Sequence, residues 1–135
     1  DEVTLSGPTM GTEFSIVFPA ASADGVDIQA LADAVAEALA DVNGKMSTYD
    51  PESELSRFNR APGGTPVPLS ADLLTVLSAA QRVSDETGGA FDITVGPLVN
   101  AYGFGPDTRS PEGPDDAALA ALRERVGFTQ LRINS

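Results

Sequence analysis

Residues 12–42, TEFSIVFPAASADGVDIQALADAVAEALADV, contain two patterns that together indicate the fold class. Apolar and polar residues alternate over the first positions, which predicts a strand over Thr12–Phe18. Apolar residues then recur at helical spacing, which predicts a helix over Asp27–Val42 that ends at Asn43-Gly44. A strand followed directly by an amphipathic helix is typical of a chain that mixes α and β structure.

Shorter elements are predicted on both sides of this stretch. A strand at Glu2–Ser6 precedes it, separated by a turn at Gly7–Gly11. Downstream, the patterns predict a short helix capped by Asp50, a helix from Ser70 that ends at Gly88-Gly89, an irregular apolar segment at Phe91–Asn100, a surface loop at Arg109–Asp116, a further helix with Leu119, Leu122 and Val126 inward, and a strand at Leu131–Asn134.

Composition limits the classes of function. The 135 residues carry 20 acidic and 8 basic side chains, a formal charge of -12, and such a surface repels nucleic acid. No apolar stretch reaches the ~20 residues of a transmembrane helix. The chain has no Cys and no His, so thiolate and histidine chemistry are excluded, and any catalysis would use a metal or a second chain. One domain over residues 1–135, without an internal boundary, is predicted.

Three segments hold more special residues than a core requires: PTMGT at 8–12, MSTYD at 46–50 and TGGAFD at 87–92. Each borders a regular element, where a rigid scaffold presents a loop. In the first, Met10 either belongs to a plain turn and packs inward or contacts a ligand. In the second, Tyr49 either stacks on a planar ligand or is a boundary tyrosine with a satisfied hydroxyl.

The third segment leaves similar alternatives open. Gly88 either caps a helix or allows a ligand close to the backbone. Asp92 is either a carboxylate with a raised pKa or an ordinary loop aspartate. Arg57 and Arg60 contact phosphate in one interpretation and balance acidic charge in the other.

In order and spacing, these segments resemble the ApbE family. The resemblance is carried by PTMGT at 8–12, MSTYDPESELSRFN at 46–59, TGGAFDITVGPL at 87–98 and YGFG at 102–105. It implies an α+β fold, ApbE-like, in which antiparallel strands pack against helices, here incomplete at the C-terminus. By the same resemblance, the residues similar to those lining the family's FAD site are Met10, Tyr49, Ala90, Phe91 and Asp92.

The resemblance also implies an activity. Members are FAD:protein FMN transferases of the bacterial periplasm or the outer face of the cell membrane, where they occur as membrane-associated lipoproteins. They split FAD and attach FMN through a phosphoester to Thr or Ser of a target flavoprotein, using Mg²⁺. Two alternatives stay open: an FAD pyrophosphatase of the same family, which releases FMN and AMP, and a non-enzymatic FAD-binding module.

Length is where the chain departs from the family. Members are more than twice as long, and their later half carries the Mg²⁺ ligands. The resemblance therefore implies an N-terminal portion whose partners include a missing C-terminal half. Metal ligands and catalytic residues are expected beyond Ser135, and the chain alone is expected to be inactive.

Overall fold

A computed structural model describes residues 1–106 and 112–134. It divides into two compact units, residues 1–67 and residues 68–135. The first contains a β-hairpin and two helices, and the second contains three helices and two short 3₁₀ segments. The chain thus has the mixed α/β character that the sequence predicts.

The hairpin of the first unit joins strands β1 (Glu2–Thr9) and β2 (Thr12–Pro19), which pair antiparallel. The register sets Leu5 opposite Ile16 and closes at the pair Thr9 and Thr12. Both strands are longer than predicted, so the turn shrinks to two residues. Pro8 is tolerated because both strands of a two-stranded sheet are edges, where a missing N–H need not break a ladder.

Helix α1 (Ile28–Met46) follows the hairpin and lies against β1. Asp27, predicted as the first helical residue, is instead the N-cap, since its side chain accepts hydrogen bonds from the amides of Gln29 and Ala30 at 3.0 and 3.1 Å. The predicted stop at Asn43-Gly44 is wrong, because the helix continues for another turn. A glycine inside a helix costs only about 1 kcal/mol, and the Ser47 amide closes the last turn on the Asn43 carbonyl.

Helix α2 (Glu54–Arg60) contacts α1 and begins three residues later than predicted. Its N-cap is Ser53, whose hydroxyl accepts from the Ser56 amide at 3.0 Å. Asp50 does not cap a helix. Its carboxylate accepts from the Glu52 amide at 2.8 Å and stabilises the turn before the helix.

Helix α3 (Ala71–Glu86) opens the second unit and is capped by Ser70, as predicted. Leu73 and Leu77 are its buried apolar residues, whereas Val83 is exposed. The helix ends in a Schellman motif, in which the Gly89 amide donates to the Ser84 carbonyl and the Gly88 amide to that of Asp85. Gly88 has φ +60°, which an L side chain rarely adopts. The predicted helix stop at these glycines is confirmed.

Three predictions for the rest of the second unit need correction. The segment 91–100 is mostly helical, with a 3₁₀ turn at Ile93–Val95 and helix α4 (Gly96–Ala101), where Pro97 occupies the first turn that tolerates it. Helix α5 (Asp116–Arg123) ends before Val126. Among the described residues, 131–134 form no strand and follow a 3₁₀ turn at Phe128–Gln130. Residues 109–111 of the predicted loop at Arg109–Asp116 lie outside the described residues, 112–115 form a turn and coil as predicted, and Asp116 already begins α5.

The apolar core is small in both units. Leu5 is the buried apolar residue of the first unit and Leu73 and Leu77 are those of the second, while Ser53 and Ser84 are buried completely. In the described parts of the chain, no helix has the length and apolar character to cross a bilayer.

Candidate flavin-binding loops

Met10 occupies the tip of the hairpin in the first unit. It has φ +48° and is followed by Gly11 at φ +73°, the pair of positive angles that a type I′ turn requires. Among the described residues Met10 is the one non-glycine residue with positive φ, a conformation that costs about 1–2 kcal/mol. Its side chain is 47% exposed, so the inward packing that the plain-turn alternative assumed is wrong.

Tyr49 lies in a loop of the first unit that we call the Tyr49 loop, residues 47–53. Its side chain is 64% exposed, and its amide donates to the Ser47 hydroxyl at 3.3 Å. In the same loop, the Ser47 carbonyl accepts from two hydroxyls, Ser53 Oγ at 2.6 Å and Ser56 Oγ at 3.3 Å. Ser53 is completely buried, so these bonds fix the loop against the start of α2.

The Phe91 loop of the second unit, residues 87–92, is anchored at its start by Thr87. The Thr87 hydroxyl donates to the Val83 carbonyl at 2.8 Å and accepts from the Phe91 amide at 3.1 Å. The Ala90 amide donates to the Thr87 carbonyl at 3.2 Å. Both amides are thus bonded within the loop, and Phe91 remains 45% exposed. The segment is a helix C-cap followed directly by an exposed aromatic residue.

The far end of the Phe91 loop is held by Asp92. Its Oδ1 accepts from the amide and the hydroxyl of Thr94 at 2.8 and 2.6 Å, and its Oδ2 accepts from the Phe128 amide at 3.1 Å. The Thr94 hydroxyl in turn accepts from the Gly127 amide at 2.8 Å. The loop is thus tied to a segment more than thirty residues further along the chain.

These bonds set the pKa of Asp92. Partial burial on its own would raise the pKa of the carboxyl, but the hydrogen bonds donated by Thr94 and by the Phe128 amide outweigh it and lower the pKa below its ordinary value. The raised pKa considered from the sequence is therefore wrong. Asp92 is held as a carboxylate and accepts hydrogen bonds only.

The predicted site residues fall into two groups. Met10 and Tyr49 belong to the first unit, and Ala90, Phe91 and Asp92 are consecutive in the second. Arg57 and Arg60 both contact Glu52: the Arg57 guanidinium donates to its carbonyl, and Arg60 Nη2 lies 3.9 Å from its carboxylate. The Arg60–Glu52 ion pair favours the charge-balancing interpretation for Arg60, whereas Arg57 is bonded to a neutral carbonyl.

Sequence reasoning missed the residues that brace these loops, namely Ser53, Ser56, Thr94, Gln81 and Phe128. The spacing of Asp92 and Thr94 carries a local signal, because Asp two residues before a backbone donor forms an Asx turn. Ser53 is a favoured N-cap residue, but Asp50 competes with it in the sequence. Phe128 gives no local signal, since the bond to Asp92 joins residues 36 positions apart.

The donor set of the described residues does not fit a magnesium ion. Within 1–106 and 112–134, no three His, Cys, Asp or Glu side chains cluster so that they could hold a metal. Asp92 Oδ1 already accepts two hydrogen bonds.

The fold and its loops define a mixed α/β protein that presents Met and aromatic side chains on braced turns. The family model described as the ApbE family matches residues 10–135 of this sequence. That match includes nearly the whole chain, and with it both braced loops. The chain belongs to the ApbE family.

Similar proteins come from several bacteria. The chain is 43% identical over 134 residues to an FAD:protein FMN transferase of Vibrio cholerae and 39% identical to one of Haemophilus influenzae, in each case over 98% of this chain. It spans 40% and 39% of the length of those relatives.

Solved structures agree with the fold. The chain superposes on a flavin transferase ApbE from Vibrio cholerae with a TM-score of 0.91 and 42% identity, over 100% of this chain and 43% of that one. For the apo form of a Pseudomonas stutzeri flavinyl transferase ApbE, the TM-score is 0.84 and the identity 31%, over 99% of this chain and 44% of that one.

Proposed function

We propose that this chain contributes part of the FAD site of an FAD:protein FMN transferase. The reaction transfers FMN from FAD to a Thr or Ser hydroxyl of a target flavoprotein. The hydroxyl oxygen forms a bond to the FMN phosphorus, the bond from that phosphorus to the oxygen of the AMP phosphate breaks, and the hydroxyl proton is released with AMP. Membership of the ApbE family supports this proposal.

The observation that carries it is the pair of exposed rings on braced loops. Tyr49 and Phe91 lie in the two segments that resemble the family's FAD site, and both rings are exposed while the backbone beneath them is hydrogen-bonded. A ring carried on a fixed backbone loses less freedom when it stacks on a flat ligand such as isoalloxazine or adenine than one on a mobile loop. The thioether of Met10, on its own turn, is suited to the same contact.

Mg²⁺ and location are part of the proposal. The metal is expected to neutralise phosphate charge, and because the described donors do not fit it, its ligands are proposed to lie elsewhere in the functional protein. We place the protein in the bacterial periplasm or at the outer face of the cell membrane, as a membrane-associated lipoprotein. Fractionation of the source cells would check this location.

The activity is tested on the natural protein that contains this chain. It is mixed with FAD, Mg²⁺ and a library of Thr- and Ser-containing peptides, and the products are identified by mass spectrometry. A transferase releases AMP and adds FMN to peptides. Free FMN with AMP, and no modified peptide, would instead identify an FAD pyrophosphatase, and bound but intact FAD would identify a binding module.

The ring contact is tested with Tyr49→Ala and its matched control Tyr49→Phe. Loss of the ring is expected to raise the Kd for FAD about tenfold, whereas the phenyl ring keeps it within about threefold of the original. Quenching of flavin fluorescence measures both. Equal affinity of Tyr49→Ala and the unchanged protein would remove Tyr49 from the site.

A further inference from the structure

We propose that Asp92 and Thr94 form a clasp that positions the Phe91 loop by fastening it to Gly127 and Phe128. In this view Asp92, Thr94 and Phe128 are positioning residues that set the affinity for FAD through the loop. The inference rests on the proposed function, because it assigns a role to the loop that presents Phe91.

Asp92 and Thr94 accept hydrogen bonds from two consecutive backbone amides. The Gly127 amide donates to Thr94 Oγ1 at 2.8 Å, and the Phe128 amide donates to Asp92 Oδ2 at 3.1 Å. Thr94 links the two by donating its hydroxyl to Asp92 Oδ1 at 2.6 Å. Because one hydroxyl both donates and accepts, loss of Thr94 Oγ1 breaks two of these bonds at once.

Phe128 is held on two further sides. Its carbonyl accepts from Gln81 Nε2 at 3.1 Å, a bond from helix α3. Its ring lies against the Phe91 loop, where a Cβ built on Gly89 would come within 3.2 Å of Phe128 Cε1. Gly89 has φ +83°, so this backbone is shaped for the glycine that leaves room for the ring.

Phe128 therefore supports the Phe91 loop through three separate contacts. The amide, the carbonyl and the ring of one residue each contact a different partner: Asp92, Gln81 and Gly89. A loop fixed in its bound shape avoids the ordering cost that weakens binding. Without the clasp, the Phe91 ring and the backbone of Ala90 would sample other positions and FAD would bind less tightly.

The decisive variants are Thr94→Val and Thr94→Ser in the natural protein. Valine keeps the shape and removes the hydroxyl, whereas serine retains it. Thr94→Val is expected to raise the Kd for FAD about tenfold, and Thr94→Ser to stay within about twofold. The control is Thr75→Val, which removes a similar exposed hydroxyl bonded to Ala71 in α3 and should leave affinity unchanged.

A second measurement does not depend on FAD. Amide hydrogen exchange of Gly127 and Phe128 is expected to accelerate in Thr94→Val and to remain slow in Thr94→Ser and Thr75→Val. If Thr94→Val fails to fold, Gln81→Met takes its place. It loses the bond to the Phe128 carbonyl and also removes a buried Oε1 that has no partner among the described residues, so the fold should persist.

The outcomes separate the two proposals. Faster exchange at Phe128 together with weaker FAD binding in Thr94→Val or Gln81→Met supports the clasp. Tight binding of FAD by the unchanged protein, with the same affinity in Thr94→Val, Gln81→Met and Thr75→Val, would overturn the clasp and leave the proposed function standing. Absence of FAD binding by the folded, unchanged protein would overturn the proposed function, and the clasp's control of FAD affinity would fall with it.

Discussion

The Tyr49 loop and the Phe91 loop both expose an aromatic ring above internal hydrogen bonds, but different groups make those bonds. Under Tyr49 the acceptor is the neutral Ser47 carbonyl, and its donors lie within nine residues. Under Phe91 the acceptor is the Asp92 carboxylate, which reaches an amide 36 residues away. The first loop is therefore a local structure, whereas the second depends on ionisation and on a distant segment.

The largest expected effect comes from Asp92→Asn, which tests the charged side of this comparison. The amide replaces one acceptor oxygen with a donor, so either the Thr94 hydroxyl and amide or the Phe128 amide loses its partner. We expect a loss of about 2 kcal/mol in the free energy of unfolding, measured by urea denaturation. Asp85→Asn, at an exposed position in the same unit, should change it by less than about 0.5 kcal/mol. Equal effects of the two would contradict the assigned bonds.

A somewhat smaller effect is expected from Ser53→Ala, which tests the neutral side. It removes the α2 cap and one of the two hydroxyls on the Ser47 carbonyl, so stability should fall by about 1.5 kcal/mol. Ser56→Ala removes only the longer bond and should cost about 0.5 kcal/mol. If Ser56→Ala proved the more damaging, the order of importance inferred for these two serines would be reversed.

Acidification should destabilise the Phe91 loop but not the Tyr49 loop, without any mutation. The pKa of Asp92 is lowered in the folded state, so its stabilising contribution is complete above its unfolded pKa of about 4 and is lost as the pH falls through the folded value. Hydrogen-exchange protection of the Phe128 amide should therefore decline below pH ~4, while that of Ser56, bonded to the neutral Ser53 hydroxyl, should not. Parallel decline of both would show global unfolding instead.

The smallest effect, and one of opposite sign, is expected at the hairpin tip. Met10→Asn should raise stability by about 0.5 kcal/mol, because Asn tolerates positive φ better than Met. FAD affinity should fall, since the thioether contact is lost. Thermal unfolding and flavin fluorescence measure the two quantities, and a variant that gained stability without losing affinity would show that Met10 serves the turn alone.

Local signals in the sequence were sufficient for much of the fold. The cap Ser70 and the glycine stop at Gly88 were predicted correctly because each acts on backbone within a few residues. Errors arose where local signals competed or tertiary contacts decided: Asn43-Gly44 did not end α1, Ser53 capped α2 in place of Asp50, and 131–134 formed no strand.

For the two loops, the sequence indicated the exposed aromatic residues but not all of the contacts that hold the loops. The resemblance singled out Tyr49 and Phe91 as site residues, which stays a prediction, and the structure adds the hydrogen bonds that hold their loops. Neither Gln81 nor Phe128 carries any sign in the sequence of a role beneath the Phe91 loop, because their bonds depend on how α3 and the segment after α5 pack together. Contacts over such separations follow from tertiary structure rather than from residue spacing.

The double use of the Thr87 hydroxyl links the end of α3 to the ring that follows it. The same oxygen bonds the Val83 carbonyl and the Phe91 amide, so fraying of the last helical turn and release of the Phe91 amide become a single opening event. The stability of the closed loop therefore depends on the end of α3 as well as on the clasp. Under the proposed function, slowing that fraying would lengthen the residence time of bound FAD.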